Sequence, residues 1–274
     1  MEILLGPAGI PTCARGGIVE GIKKVKELGL DAMEVEFTHG IHMKNDLAKK
    51  VFEVREETGV KLSVHAPYFI NLASQDPQKI RASKQRILQS CERAHYMGAS
   101  PVVFHPGYYG SYTPQETYEI IKEGILDIID KIREKGWKVK LAPETTGKVS
   151  QFGTLEELGM LLKEIGTRHC TLCLDFAHMW ARYQGKVDYK EVLKKIKSLK
   201  ITHLHSHFSQ IEFTEKGEKR HLTFEETMDN PPVKEICREI LNSKQNITII
   251  SESPVLEVDS LKMKKIFENL GYKF

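Results

Sequence analysis

The feature that most constrains this chain is a rhythm of structure rather than a repeat of letters. Short apolar or β-branched runs alternate with helical patterns about eight times. The strand candidates are Ile3–Leu5, Ala32–Glu36, Lys61–His65, Pro101–His105, Lys138–Pro143, Thr171–Asp175, Ile201–His205 and Ile247–Ser251. Between the first two, Ile18, Ile22, Val25 and Leu28 fall three or four apart and Gly29 follows as a stop, which is the spacing of a helix. Start signals agree: Thr113-Pro114-Gln115-Glu116 and Thr154 with Glu157 read as capping boxes, and Asp76-Pro77 opens a long helix ending near Gly98. No Gly/Ser/Pro-rich linker or low-complexity stretch divides the 274 residues. Eight βα units in an undivided chain predict one domain over residues 1–274, an α/β fold of the (β/α)8 TIM barrel type, with a doubly wound open sheet as the alternative.

Composition narrows the function classes only a little. Forty basic against 37 acidic side chains leave a net charge of +3, which neither demands nor excludes nucleic acid. No apolar run approaches the ~20 residues that span a bilayer, and the opening Met-Glu-Ile-Leu-Leu-Gly breaks too soon for a signal peptide. Five cysteines are too few and odd in number for a disulfide framework, so a cytoplasmic protein with no membrane partner is expected. Cys170-Thr-Leu-Cys173 enters a predicted buried strand without a partner pair and reads as core.

The chemistry gathers at one end of the predicted barrel. Glu36, His65, His105, Glu144, Asp175, His205 and Glu252 fall at or just past strand C-termini, the rim where such barrels carry their active sites. That many imidazoles and carboxylates on one mouth need positive charge among them, and divalent ions, zinc above all, take this mixture. His178 lies three residues past Asp175, and His221 sits in the longest insertion, Phe208 to Asn230, a length usually kept for function.

These residues stand in motifs that carry a resemblance. Ser63-Val-His65-Ala-Pro-Tyr68-Phe69-Ile-Asn71-Leu72, Val103-Phe-His105-Pro-Gly107, Glu144-Thr-Thr-Gly147, Leu174-Asp175-Phe-Ala-His178, Leu204-His205, Lys219-Arg220-His221-Leu222 and Glu252-Ser-Pro254 follow one another over essentially the whole chain. In order and spacing they resemble endonuclease IV, the metal-dependent apurinic/apyrimidinic endonucleases. The resemblance implies up to three zinc ions, with manganese as an alternative. His65 and His105 would hold one ion, and Glu144 would bridge it to a second completed by Asp175, His205 and Glu252. His178 and His221 would hold the third. Glu144 would also be the catalytic residue that positions the attacking hydroxide, and Tyr68 with Phe69 would be the DNA-binding wedge. The implied partner is double-stranded DNA with abasic sites, cut on the 5′ side by a monomeric enzyme. Lys148, Arg182, Lys186, Lys216 and Arg220 are rim cations within reach of a phosphate backbone.

Two positions depart from the family pattern. Lys219 stands where a carboxylate is expected, so the third ion loses a ligand that Glu212 or Glu218 would have to replace. His207 stands where an asparagine is expected. A sugar isomerase or epimerase on the same barrel is the competing reading, since Glu144, Asp175, His205 and Glu252 suffice for a single divalent ion. His65, His105 and His221 weigh against it, because one ion has no use for them.

Overall fold

All eight expected strands form and run parallel in the computed structural model, which describes residues 1–274. They cover Ile3–Pro7, Ala32–Glu36, Lys61–His65, Val102–Phe104, Leu141–Pro143, Cys173–Asp175, Leu204–Phe208 and Ile247–Ser251. The first strand pairs with the eighth, the eighth with the seventh and the seventh with the sixth; the second through fifth pair in sequence. Two seams close the ring. At one, the Gly9 amide donates to the Glu34 carbonyl and the Asp31 amide to the Leu5 carbonyl; at the other, the Thr145 amide donates to the Cys173 carbonyl. The first seam explains Gly6: a Cβ there would lie 1.6 Å from the Ala32 carbonyl oxygen.

Helices return the chain between strands along the outside, and the start signals read from the sequence hold. Thr113 and Thr154 cap Pro114–Lys135 and Leu155–Ile165 through reciprocal capping boxes, and Asp76 caps Pro77–Met97. Apolar residues from Ile3 to Phe267 join in one cluster of 59 buried side chains between ring and helices. At roughly 25 cal/mol per Å2 of apolar surface, this burial is the main force holding the barrel. No helix is long and apolar enough to cross a membrane. All five cysteines are free thiols, and Cys170 and Cys173 are buried in the core as expected.

Two differences from the sequence reading bear on the site. The seventh strand runs three residues further than expected, ending at Phe208 rather than His205. The long insertion is no plain loop: Gln210–Thr214 and Gly217–Leu222 pair as an antiparallel hairpin with a bulge between Glu212 and Phe213. Its second strand is tied to the loop after the fifth barrel strand, where the Glu218 amide donates to the Gly147 carbonyl. Gly217 permits that approach, since a Cβ there would lie 2.1 Å from the Gly147 oxygen.

Candidate metal centre

Glu144 is the hub. It follows the fifth strand, is completely buried, and has two imidazole nitrogens against each carboxylate oxygen. Oε2 lies 3.2 Å from His65 Nε2 and 3.0 Å from His105 Nε2. Oε1 lies 3.2 Å from His178 Nδ1 and 3.1 Å from His207 Nδ1. Five groups of donor atoms lie here, the atoms of each within 4.8 Å of one another; two of them, Glu34–His207–Glu252 and Cys173–His205–His207, run down the seventh strand, and three cross the rim: His65–His105–Glu144, Glu144–Asp175–His178–Glu252, and His178–His221–Glu252. Of the three on the rim, Glu144 belongs to the first two and His178 to the last two, so these groups share members in a chain.

The expectation for His205 is corrected here. Residues 205 and 207 share the inward face of the seventh strand, one layer apart. His207 is in register with Asp175, whereas His205 is in register with Cys173 below it. His205 Nε2 therefore donates to Glu34 Oε2 at 2.9 Å and does not join the rim carboxylates. His207 takes the rim place, with Nδ1 3.3 Å from Glu252 Oε1 and Nε2 2.7 Å from Glu34 Oε1. Pairing with the sixth and eighth strands carries the seventh to Phe208, three residues past His205, and so brings His207 to the rim. The His203, His205, His207 alternation was the available signal, since a period of two marks all three as inward and the last as uppermost.

In three of the clustered imidazoles one ring nitrogen is held by a backbone carbonyl. His65 Nδ1 donates to the Ala66 carbonyl at 2.7 Å, His178 Nδ1 to the Thr145 carbonyl at 3.0 Å, and His221 Nδ1 to the Glu252 carbonyl at 3.0 Å. That pattern turns the opposite nitrogen toward the rim, where it can ligate a metal in place of a proton, as metal-ligating histidines require. Asp175 Oδ2 is buried without a hydrogen-bond partner, an acceptor that a cation would satisfy. On these grounds the residues fit divalent metal ions.

Charge tells the same story. Burial opposes ionisation of Glu144, yet His105 and His207 hold its carboxyl well below the usual range. Burial likewise disfavours charge on His65, but the hydrogen bond to Glu144 and the charge of Glu36 push it up to about 10. His178 and His207 are driven well above the ordinary imidazole value against the same burial, chiefly by Asp175 and Glu218 for His178, and by Cys173 and Glu252 for His207. The rim thus draws positive charge, as protons or as cations. Glu36 also sits here; burial, with Glu34 and Glu144 nearby, raises it to about 7, and its Oε1 is unpartnered.

The aromatic pair stands beside the hub and is open to solvent. Tyr68 is 53% exposed and Phe69 67%, and the Tyr68 ring lies 5.6 Å from that of His65. Neither is a core residue. Arg86 Nη1 grips the Phe69 carbonyl at 2.9 Å and steadies this loop from behind.

Among the rim cations, Lys148, Lys186 and Lys216 are exposed. Arg182 is not available: its Nη1 donates to the carbonyls of Lys148 and Gln151 and to the Thr146 hydroxyl, bracing the loop after the fifth strand. Lys219 and Arg220 both pair with Glu212 on the outside of the hairpin.

Comparison with known proteins identifies the family of the barrel. The model of the xylose isomerase-like TIM barrel family matches residues 22–266. A Methanocaldococcus jannaschii protein named Uncharacterized protein MJ0133 is 35% identical over 98% of both chains. A Mycoplasma mobile protein named Probable endonuclease 4 is 29% identical over 76% of this chain and 74% of its own. Among solved structures, a D-tagatose 3-epimerase-like protein superposes with a TM-score of 0.75 at 20% identity, over 98% of this chain and 96% of that one. Endonuclease IV from Thermus thermophilus gives 0.65 at 20% identity, over 93% and 95%. The structural likenesses establish the fold, while relatives named endonuclease 4 bear out the resemblance read from the motifs. With nearly the whole barrel and its rim inside the match, the chain belongs to the xylose isomerase-like TIM barrel family.

Proposed function

We propose that this protein is a zinc-dependent endonuclease that hydrolyses the phosphodiester 5′ to abasic sites in double-stranded DNA. The observation that carries this reading is the hub: a buried carboxylate with imidazoles on both oxygens is built to bridge two cations, and a one-ion epimerase has no use for His65 and His105. His65, His105 and Glu144 would hold one ion; Glu144, Asp175, His207 and Glu252 a second; His178 and His221 a third. Such ions, when bound, acidify the attacking water and neutralise charge on the phosphate and the departing oxygen.

The chain's own groups do the rest. Glu144, buried at the end of the fifth strand, accepts a hydrogen bond from the attacking water, aiming it at the phosphorus. Burial of its inner side and the carboxylates of Glu252 and Glu36 push the Tyr68 phenol up, so it stays protonated. Tyr68 and Phe69 can enter the gap in an abasic duplex, where no base remains to be unstacked, while the sugar turns out toward Glu144. Lys148, Lys186 and Lys216 are the free cations for the phosphate backbone. The five free thiols suit a reducing cytoplasm, and the unbroken core cluster suits a single domain.

The test is a duplex bearing one abasic site, an intact duplex and a ketose panel, each presented to zinc-loaded protein whose metal content is measured. Strand cleavage at the abasic site alone, with at least two ions per chain, is the expected result. One ion per chain together with ketose turnover would replace this reading with the epimerase.

A further inference from the structure

The family pattern places a carboxylate two residues before the histidine of the hairpin, and here that position is Lys219, which cannot ligate a cation while protonated. The hairpin resolves the conflict by changing register. Glu212 is paired with Arg220 and Phe213 with Glu218, so Lys219 is the extra residue of a β-bulge. A bulge puts two residues opposite one and reverses the alternation of faces beyond it. Lys219 and Arg220 accordingly both turn outward to the two oxygens of Glu212, at 2.5 and 2.8 Å. Glu218, which strict alternation from His221 would send outward, turns in.

There it meets the far side of His178. The Nδ1 edge of that ring is occupied by the Thr145 carbonyl, Glu144 and Asp175, while Nε2 lies 3.5 Å from Glu218 Oε2. The Glu218 side chain is 19% exposed, against 57% for Lys219. A space is kept for it. A Cβ on Gly147 would lie 2.7 Å from Glu218 Cβ, 2.9 Å from its Oε2 and 3.0 Å from His178 Cδ2. Gly147 has no left-handed backbone to justify it, so this glycine serves clearance rather than conformation.

We propose that Glu218 is the carboxylate ligand of the ion held by His178 and His221, moved one residue along the chain from the family position by the bulge at Lys219. The proposal rests on the multi-ion reading above. It also assigns Lys219 to the outer surface, and Gly147 to keeping the pocket open.

The test is zinc retention, read without activity. Wild-type protein loaded with Zn2+ is dialysed against a graded chelator, and residual zinc and melting temperature are followed. Three ions are expected, one more labile than the others. Glu218→Gln should weaken retention of that one ion by about tenfold or more and leave the other two unchanged. Gly147→Ala should reproduce the defect by displacing the carboxylate, and Lys219→Ala should not. Wild-type retention of all three ions in Glu218→Gln, or a tighter third ion in Lys219→Asp, would overturn the assignment while leaving the three-ion centre standing. Fewer than three ions in the wild-type protein would overturn both.

Discussion

The rim is built in two ways, and the contrast between them sets what to expect of each part. Around Glu144, the donors come from strand ends: His65, Asp175, His207 and Glu144 are all at most 2% exposed, with His105 at 20% the one open member, and strand pairing fixes their positions. On the other side, His221 and Glu218 come from a hairpin that leans on the rim, with 23% and 19% of their side chains exposed. Strand-borne groups lose little freedom on binding, because the barrel core has already ordered them. Hairpin-borne groups are more open to solvent, and water competes for them. Site precision follows rigid elements more than loops.

The largest effect should come from the strand-borne hub. Glu144→Gln removes a negative charge shared by two ion positions, and an amide cannot bridge two cations. Zinc content should drop by two ions, and incision of an abasic duplex by at least about 100-fold, more than loss of an outer partner costs. Circular dichroism should show the barrel still folded. Near wild-type zinc content in this variant would erase the distinction between the two regions.

A second experiment sharpens the layering within the strand-borne half. His207→Gln should lose the second ion, whereas His205→Gln, which keeps a donor toward Glu34, should retain it and weaken binding by about tenfold at most. Equal losses would mean that both layers reach the metal, and the register with Asp175 would no longer discriminate them.

The smallest effect is on pH dependence and has opposite signs in the two metal states. His65 is raised from 6.5 to about 10 in the folded, metal-free protein. Its protonation therefore stabilises that form fully below pH 6.5, and the contribution is lost as pH rises toward 10. Metal ligation needs the deprotonated imidazole, so zinc-loaded protein gains over the same range. Melting temperatures measured in chelator should fall between pH 6.5 and 9, and the gap to zinc-loaded protein should widen. A gap that narrows with pH would contradict the assignment of His65.

Most of the fold was legible because it depends on local rules. Capping boxes at Thr113 and Thr154, glycine stops, and apolar runs of strand length are written in adjacent residues, and the eight-fold alternation leaves few topologies to choose from. The rim was legible for the same reason: His65, His105, Glu144, Asp175 and Glu252 stand at strand ends that hydrophobic patterning marks to within a residue or two. The seventh strand escaped this reading. Ile201 begins an apolar run that looks like strand, while the polar sequence His205-Ser206-His207 looks like its end, yet pairing with the sixth and eighth strands carries it to Phe208.

The sequence by itself determined the architecture, the kind of donor on the rim and the order in which those donors arrive. Those follow from periodicity and residue chemistry, which neighbours along the chain are enough to express. Only the tertiary structure decided which histidine of a pair reaches the rim and which glutamate turns inward from the hairpin. Both choices depend on strand register, and a shift of one or two residues moves a side chain to another layer or another face. Register is set by hydrogen bonds to strands distant in sequence, here Asp175 opposite His207 and Phe213 opposite Glu218; the His203, His205, His207 alternation shows which side chains face inward but not how far the strand runs.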